Sequence, residues 1–260
     1  MGSNIVRSIF VLAVFTFLPA SAVQPFQQPE GTASTRAAAM PDLSGVWTPA
    51  RGARRGFGDT KDVAPMQPWA EEKFKAARVG AADEYDQGAD ELDPDSGISP
   101  RNCYPAGTPR IYNIPRPFEI IQAPGKVYLL YEWDHAVRRI YTDGRKRPEG
   151  MLQSYMGYSL GKWDGDTLVV ETADMNDKTW VDGLGHPHTD ALRVVERFRR
   201  VKADTLEIDV LIDDPKTYAK PWGGKKIFNL KPAWEIYEHE NCEEFWETGE
   251  SPYGSAEKPK

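Results

Sequence analysis

From Phe118 onward, short runs of alternating apolar and polar residues follow one another, separated by turn-forming residues. In the clearest run, Thr205 to Ile212, every second residue is Leu, Ile or Val and most of the residues between them are acidic. This period of two is typical of a half-buried β-strand. Asp164-Gly165, which lies between two such runs, is a common short hairpin turn. The pattern predicts an all-β fold of sequential antiparallel strands.

About nine strands are predicted, at 118–122, 126–133, 137–142, 157–163, 167–173, 191–201, 205–212, 226–230 and 234–240. Hairpins joined in sequence usually form an up-and-down meander, and closing the meander into a barrel removes its exposed edges. We therefore expect a lipocalin-like (calycin-like) barrel, with a β-sandwich as the alternative. One short helix is expected from Pro68 to about Arg78, because proline suits the first helical turn.

The N-terminus has the three parts of an export signal, since Arg7 precedes an apolar run from Ile9 to Leu18 and the site Ala20-Ser21-Ala22. The run of about ten residues is short for a spanning helix, which needs roughly twenty. We expect a signal peptide over 1–22 and a periplasmic or secreted protein. A flexible leader over 23–40, one domain over 41–248 and a disordered tail over 249–260 complete the predicted organisation.

The predicted mature chain is acidic. Removal of Arg7 from 32 Lys and Arg leaves 31, against 39 Asp and Glu, a formal charge of −8. Nucleic acids and anionic membranes are bound chiefly by clustered basic residues, so neither is an expected partner. We expect a small-molecule ligand, whereas the sequence leaves the oligomeric state open.

Two cysteines, Cys103 and Cys242, are far apart in the chain. In an oxidising compartment a disulfide between them is the first expectation, and two free buried thiols are the alternative. Residues 80–117 are irregular and rich in proline towards their end. So long a stretch without regular structure suggests either a lid or a segment wrapped against the barrel.

His186-Pro187-His188 places two imidazoles on one side of an extended chain. The same parity puts Glu196 on an otherwise apolar strand face, where a carboxylate is costly unless it is paired or used. One interpretation is a catalytic cluster of His188 and Glu196. The other is structural: the histidines lie in a polar loop and Glu196 pairs with an Arg or Lys across the sheet.

A second candidate site is Tyr131-Glu-Trp-Asp-His135, at the end of an apolar strand. The pKa of histidine lies close to neutral, and a carboxylate partner fixes its tautomer, so His135 could act as a general acid or base. Asp134 or Glu132 would orient it. A structural histidine that hydrogen-bonds a neighbouring loop is the alternative.

Several motifs resemble those of an uncharacterised family of exported bacterial β-rich proteins. They are Asp42-Leu-Ser-Gly-Val-Trp47, Cys103-Tyr-Pro-Ala-Gly-Thr-Pro-Arg110, Tyr131-Glu-Trp-Asp-His135, Thr142-Asp-Gly-Arg145, Gly161-Lys-Trp-Asp-Gly-Asp-Thr-Leu-Val-Val-Glu-Thr172, Gly185-His-Pro-His-Thr-Asp190 and Asp213-Asp-Pro-Lys-Thr-Tyr218. The resemblance brings no established activity. It implies a role for His135, His188 and Arg110, which lie inside its motifs.

Three functions are consistent with these residues. The leading hypothesis is a cofactor-independent lyase or isomerase that acts on a small cyclic or aromatic molecule in the barrel. His135, Asp134, His188 and Glu196 would supply its acid-base groups, and this requires His135 and His188 to reach one cavity. The second hypothesis is a copper or zinc site of His186, His188 and His135. The third is a non-catalytic protein that carries a small ligand inside the barrel.

Overall fold

The computed structural model describes residues 41–51, 56–57, 64–77 and 105–237. The predicted signal peptide, leader and C-terminal tail lie outside these residues, as do Cys103 and Cys242. Of the proline-rich segment 80–117, the part from 105 onward is described.

In the described part of the chain, nine strands form one closed barrel in chain order, which confirms the predicted all-β barrel and excludes the sandwich. Eight of the nine neighbouring pairs are antiparallel and one is parallel. The strands are β1 (Gly45–Pro49), β2 (Phe118–Ala123), β3 (Lys126–Tyr131), β4 (Val137–Tyr141), β5 (Tyr158–Asp164), β6 (Thr167–Ala173), β7 (Arg193–Lys202), β8 (Thr205–Asp213) and β9 (Trp222–Leu230).

The parallel pair is β4 and β5, in which Ile140 lies opposite Ser159. An odd number of strands cannot alternate in direction all the way round a closed barrel, so at least one neighbouring pair must be parallel. Residues 142–157 therefore carry the chain back along the barrel before β5 begins. The purely antiparallel meander expected from the sequence is modified at this one connection.

The predicted strand over 234–240 is wrong for its described part, because residues 234–237 form no strand. β1 takes the closing position instead, with Trp47 paired to Phe118 of β2 and to Leu230 of β9. These pairings already occupy the free edge of β9. Pro232, which has no N–H to donate, follows shortly after that strand.

The two ends of the barrel differ in their connections. At the turn end, two-residue turns at 124–125, 165–166 and 203–204 join consecutive strands. At the plugged end lie the longer connections 132–136, 174–192 and 214–221, together with the segment 105–117 that leads into β2. Strand direction thus brings the loops of His135 and of His186 and His188 to the same end.

The segment 105–117, which we call the plug, enters the barrel at its plugged end. Its first part is held on the β4–β5 connection, because Thr108 donates from its amide to the Tyr155 carbonyl at 3.1 Å and from its hydroxyl to the Met156 carbonyl at 3.2 Å. The 3₁₀ turn Arg110–Asn113 then places Tyr112 in the interior. Its ring packs 6.1–6.4 Å from the rings of Phe118, Tyr131, Phe198 and Phe228. A fully buried ring of this kind contributes roughly 1.5–3 kcal/mol.

Among the described residues, the α-helix α1 (Pro68–Ala77) lies where the sequence predicts a helix. It packs outside the barrel at the plugged end. Its approach is fixed by short pairings with the β8–β9 connection, since the Gln67 amide donates to the Thr217 carbonyl at 2.7 Å and the Ala219 amide donates to the Pro65 carbonyl at 2.8 Å. Within the described ranges, no helix has the length and apolar character needed to cross a membrane.

Candidate functional site

A buried ion pair lies inside the barrel below Tyr112. The guanidinium of Arg138 on β4 donates from Nη1 to Glu196 Oε1 on β7 at 2.7 Å and from Nη2 to Glu196 Oε2. Arg138 also donates to the oxygens of Ser159 at 3.1 Å, Thr172 at 2.7 Å and Tyr112 at 2.7 Å. All five N–H groups of the guanidinium are thereby used.

Glu196 is saturated in the same way, because the Tyr112 hydroxyl donates to Oε1 at 2.6 Å in addition to the two bonds from Arg138. Burial alone would lower the pKa of Arg138, but the oxygens of Glu196 and Tyr112 hold it above its ordinary value. Burial raises the pKa of Tyr112, and it raises that of Tyr131 to about 12. A fully bonded, dehydrated carboxylate of this kind fixes the interior packing, as in the structural interpretation of Glu196.

A His-Asp pair lies in the β6–β7 connection at the plugged end. Asp182 is fully buried, and its Oδ2 accepts from Nδ1 of His186 at 2.7 Å. Its Oδ1 accepts from the amides of Leu184 at 3.0 Å and His186 at 3.3 Å, which fixes the carboxylate. The loop is closed by the Val181 amide, which donates to the His186 carbonyl at 2.8 Å. Because Nδ1 carries the proton shared with Asp182, Nε2 is the nitrogen left for proton transfer.

Aromatic rings enclose the imidazole of His186. The ring of Phe74 from α1 stacks on it at 4.2 Å between centroids, with 20° between the planes. The indole of Trp222, at the start of β9, lies 4.9 Å away. His186 keeps 8% of its accessible surface. The imidazole therefore contacts two aromatic rings and keeps little exposed surface.

Lys226, an inward residue of β9, is also buried at this end. Its Nζ donates to the Gly56 carbonyl at 2.8 Å and to Oδ1 of Asn113, which ends the 3₁₀ turn of the plug. Burial lowers its pKa to about 8, against the opposing effect of Asp182. We call Phe74, Asp182, His186, Trp222 and Lys226 the His186 site.

His188 lies in the same connection but is engaged at both ring nitrogens. Nε2 accepts from the Thr179 hydroxyl at 2.8 Å, and Nδ1 donates to the Thr189 carbonyl at 3.1 Å. Burial lowers its pKa, while the Thr189 hydrogen bond and the charge of Asp214 act in the opposite direction. Because both ring nitrogens are hydrogen-bonded within the loop, His188 holds the loop in place and has no nitrogen available for proton transfer.

His135 and Asp134 lie on the 3₁₀ turn Trp133–His135, and both side chains are exposed. Their φ angles, 46° and 58°, fall in the left-handed region that Asp and His tolerate better than most residues. Burial raises the pKa of Asp134, and the neighbouring His135 lowers it. His135 thus shares the plugged end with His188 but lies at the surface. Arg110, the remaining predicted residue, is buried at the start of the plug's 3₁₀ turn.

The proposed metal site is not supported by these positions. Within the part of the chain that the structure describes, no three His, Cys, Asp or Glu side chains are grouped so that they could hold a metal ion. The physical reason is visible at the histidines, since His188 has both nitrogens hydrogen-bonded and His186 has one on Asp182.

An open groove of about 520 Å³ also lies at the plugged end, next to the turn that carries His135. It is lined by Pro115–Pro117 of the plug, the end of β1, Glu132 and the exposed rings of Trp234 and Tyr237. Its volume falls within the range of small-molecule sites. The plug therefore places Tyr112 in the barrel interior, accepts from Lys226 through Asn113 and lines the groove with Pro115–Pro117.

Sequence reasoning missed most of the His186 site as functional residues, namely Phe74, Asp182, Trp222 and Lys226. Asp182 precedes His186 by four residues in a glycine-containing loop, where no periodicity indicates a contact. The sequence did carry one signal for Lys226. It lies two residues before Phe228 on the same strand, so strand alternation places both side chains on the same, inward face.

No protein-family model and no curated protein matches this chain. The resemblance to exported bacterial proteins stays a prediction, and the candidate site rests on its own geometry.

Proposed function

We propose that this protein is a cofactor-independent lyase or isomerase whose proton-transferring group is His186. The observation that carries the proposal is the 2.7 Å contact between Nδ1 of His186 and the buried carboxylate of Asp182. This moves the acid-base chemistry expected from the sequence to another histidine at the same end of the barrel. From the N-terminal sequence we further propose that it acts outside the cytoplasm.

The His-Asp pair has the arrangement that general base catalysis requires. The carboxylate fixes the imidazole tautomer and stabilises the imidazolium that forms when Nε2 accepts a proton. Two backbone amides at 3.0 and 3.3 Å hold that carboxylate in place, so it does not need to reorganise during the reaction. The same imidazolium can return the proton to a different atom, which is the requirement for an isomerase, or to a leaving group, which is that for a lyase.

The rings of Phe74 and Trp222 favour a planar substrate. An aromatic or cyclic molecule can stack on such rings at 4.5–7 Å between centroids, the usual range for aromatic pairs. The imidazole already contacts both rings, at 4.2 and 4.9 Å between centroids. A ligand that displaces the Phe74 ring would meet both the base and an apolar wall.

A carrier function inside the barrel has less support. Tyr112 and its four ring neighbours occupy the barrel interior near the plugged end. The Arg138–Glu196 pair lies next to Tyr112, and every N–H group of the Arg138 guanidinium is hydrogen-bonded. A lipocalin-type ligand would have to displace a buried ring and compete with an ion pair.

The proposal is tested with 5-nitrobenzisoxazole, a planar probe whose ring opens to a yellow phenolate when a base removes its single carbon-bound ring proton next to nitrogen. We expect the full-length protein to accelerate this ring opening. His186→Ala should lower the rate about 100-fold or more, the usual contribution of a positioned general base. Asp182→Asn should lower it by a similar factor, because an amide that donates to Nδ1 leaves the proton on Nε2, which can then no longer accept one.

His135→Gln is the matched control, since it removes an exposed imidazole at the same end and should leave the rate unchanged. Thermal melts of each variant show whether the fold is kept. A folded His186→Ala protein that retains the wild-type rate, or a wild-type rate no higher than that of free imidazole at equal concentration, would contradict the proposal.

A further inference from the structure

The ring of Phe74 from α1 lies against the imidazole that the proposed reaction needs. The two rings are 4.2 Å apart between centroids with 20° between their planes, so one face of the His186 imidazole is already stacked. A planar substrate that stacks on that face needs the place of Phe74. We propose that α1 is a lid over the His186 site, which lifts so that the ring of a planar substrate replaces Phe74 on the imidazole. This inference rests on the proposed function, because it concerns how a substrate reaches the same histidine.

α1 buries little of its surface. Among its residues 68–76, Ala70 is fully buried, Phe74 is half-buried and the others are exposed. The two lie four residues apart, which places them on one face of the helix. Burial of apolar surface is the main force that holds a helix on its neighbours, and here it amounts to one methyl group and part of one ring. α1 can therefore separate from the protein with a small loss of buried contacts.

The N-terminal approach to α1 is the fixed end of the lid. Residues 65–67 pair with the β8–β9 connection through backbone hydrogen bonds, from the Gln67 amide to the Thr217 carbonyl at 2.7 Å and from the Ala219 amide to the Pro65 carbonyl at 2.8 Å. These bonds do not depend on any side chain of the helix. They keep their place when the residues beyond them move, so the hinge of the lid lies where this pairing ends and α1 begins.

Side-chain contacts hold the second half of the lid. Besides the Phe74 stack, the ammonium of Lys73 lies 5.3 Å from the centre of the Trp180 ring in the β6–β7 connection. Lys73 is exposed, and cation–π contacts at exposed sites are weak. The stack on His186 is not lost when a planar substrate replaces Phe74, because one flat ring takes the place of another. The lid is therefore held closed by contacts that are weak or that the substrate itself restores.

The base stays in place when the lid lifts. Asp182 holds Nδ1 of His186 from within the β6–β7 connection, and Trp222 contacts the imidazole from β9. Neither residue belongs to α1. The tautomer of the imidazole and one aromatic wall therefore remain when Phe74 leaves, and the movement changes access to the base without changing its orientation.

The test is the reaction of His186 with diethyl pyrocarbonate in the full-length protein, followed by peptide mapping. This reagent attacks an accessible, neutral imidazole and requires no substrate. Lys73→Ala keeps Phe74 but removes the contact with Trp180, so it should raise the fraction of molecules in which the lid is open. We expect His186 to react about two- to fivefold faster in this variant, the factor that corresponds to a cation–π contact at an exposed site.

Lys75→Ala is the matched control. It removes the same charge from an exposed position of the same helix, where Lys75 pairs with Glu71 at 2.8 Å. The reaction at His186 should keep its wild-type rate in this variant, and the exposed His135 serves as the internal reference in each protein. Both lysines are exposed, so both variants should fold, which thermal melts check. A rate at His186 that is equal in the wild type and in Lys73→Ala would overturn the lid.

Steady-state ring opening of 5-nitrobenzisoxazole shows whether the substrate takes the place of Phe74. When a substrate binds the open form alone, its apparent affinity rises in proportion to the open fraction. Lys73→Ala should therefore lower KM by the factor measured with diethyl pyrocarbonate and leave kcat unchanged. Phe74→Ala should lower KM further, because no ring has to be displaced. A KM that stays at the wild-type value in both variants would overturn the replacement of Phe74 by the substrate.

The lid and the proposed base fail in different ways. Faster modification of His186 in Lys73→Ala, together with ring opening that does not depend on His186, would support the lid and contradict the base. Ring opening that is lost in His186→Ala, together with equal modification of His186 in the wild type and both lysine variants, would overturn the lid alone.

Discussion

The turn end and the plugged end of the barrel connect the same strands in different ways. At the turn end, residues 124–125, 165–166 and 203–204 reverse the chain in two residues each. At the plugged end, the connections are long, and their polar side chains bind one another and the barrel interior. The comparison shows where side chains from different parts of the chain can come together. Two-residue turns carry too few side chains to form a cluster, whereas the long connections carry enough.

The plug, residues 105–117, contacts both the His186 site and the barrel interior. Tyr112 bonds to Glu196 in the interior, and the neighbouring Asn113 accepts from Lys226 at the site. The interior ion pair and the position of the amine thus share one 3₁₀ turn. Breaking the pair should disturb the plugged end, while changes in the turn end should not.

The largest effect is expected from removing one partner of the interior pair. Arg138→Met or Glu196→Leu alone leaves a buried, uncompensated charge and should lower the free energy of unfolding by about 3–5 kcal/mol. The double variant should recover much of that loss, because two apolar side chains replace two charges. Urea unfolding of the single and double variants measures both effects.

The control for this prediction is Arg193→Ala, which breaks an ion pair with Glu171 on the outer face of neighbouring strands. The N–O distance in that contact is also short, at 2.6 Å, but both side chains are about half exposed. Exposed pairs contribute little, so the variant should unfold with wild-type stability within error. Single interior variants no less stable than Arg193→Ala would show that the plugged end does not depend on the pair.

The turn end could be predicted well from sequence because its information is local. Alternation and an Asp-Gly turn locate β5 and β6 within one residue of their observed bounds. The same parity placed Glu196 inside, and the structural one of its two interpretations gave it an Arg or Lys partner. It could not choose the partner, because Arg138 and Arg139 are adjacent on β4 and either parity was open.

The plugged end could not be predicted because its contacts join distant parts of the chain. Tyr112 and Glu196 are 84 residues apart, and Arg138 and Glu196 are 58 apart. Asp182 and His186 are close in sequence, but their loop has neither strand nor helix period. The sequence indicated both histidines of this loop, His188 for catalysis and His186 for the metal alternative, but nothing in it indicated the Asp182 contact.

A smaller effect on stability is expected when one glycine at each end of the barrel is replaced by alanine. Gly224→Ala should push Phe57 away from β9, lower stability by roughly 1–3 kcal/mol as overpacking usually does, and raise the pKa of Lys226 by admitting water. Gly165→Ala, in a turn at the other end with φ of 59° and no neighbour within 4 Å, should cost about 1–2 kcal/mol through backbone strain alone.

The readout that separates the two glycine variants is the pH dependence of reductive methylation at Lys226, measured with formaldehyde and sodium cyanoborohydride followed by peptide mapping. Its midpoint should move upward in Gly224→Ala and stay at the wild-type value in Gly165→Ala. Equal midpoints in both variants would mean that the close approach of residues 56–57 does not control the amine.

The smallest effect concerns pH and the loop that holds His188. Burial lowers its pKa in the folded protein, whereas the unfolded chain keeps a value near 6.5. Between these two values the unfolded state binds more protons, so the free energy of unfolding falls as the pH drops below about 6.5 and stops falling below the folded pKa. Urea midpoints measured from pH 7.5 to 4.5 should therefore decrease more in the wild type than in His188→Gln, which keeps a donor and an acceptor but does not titrate. Parallel curves for the two proteins would contradict the prediction, because they would show that the pKa of His188 is the same in the folded and unfolded states.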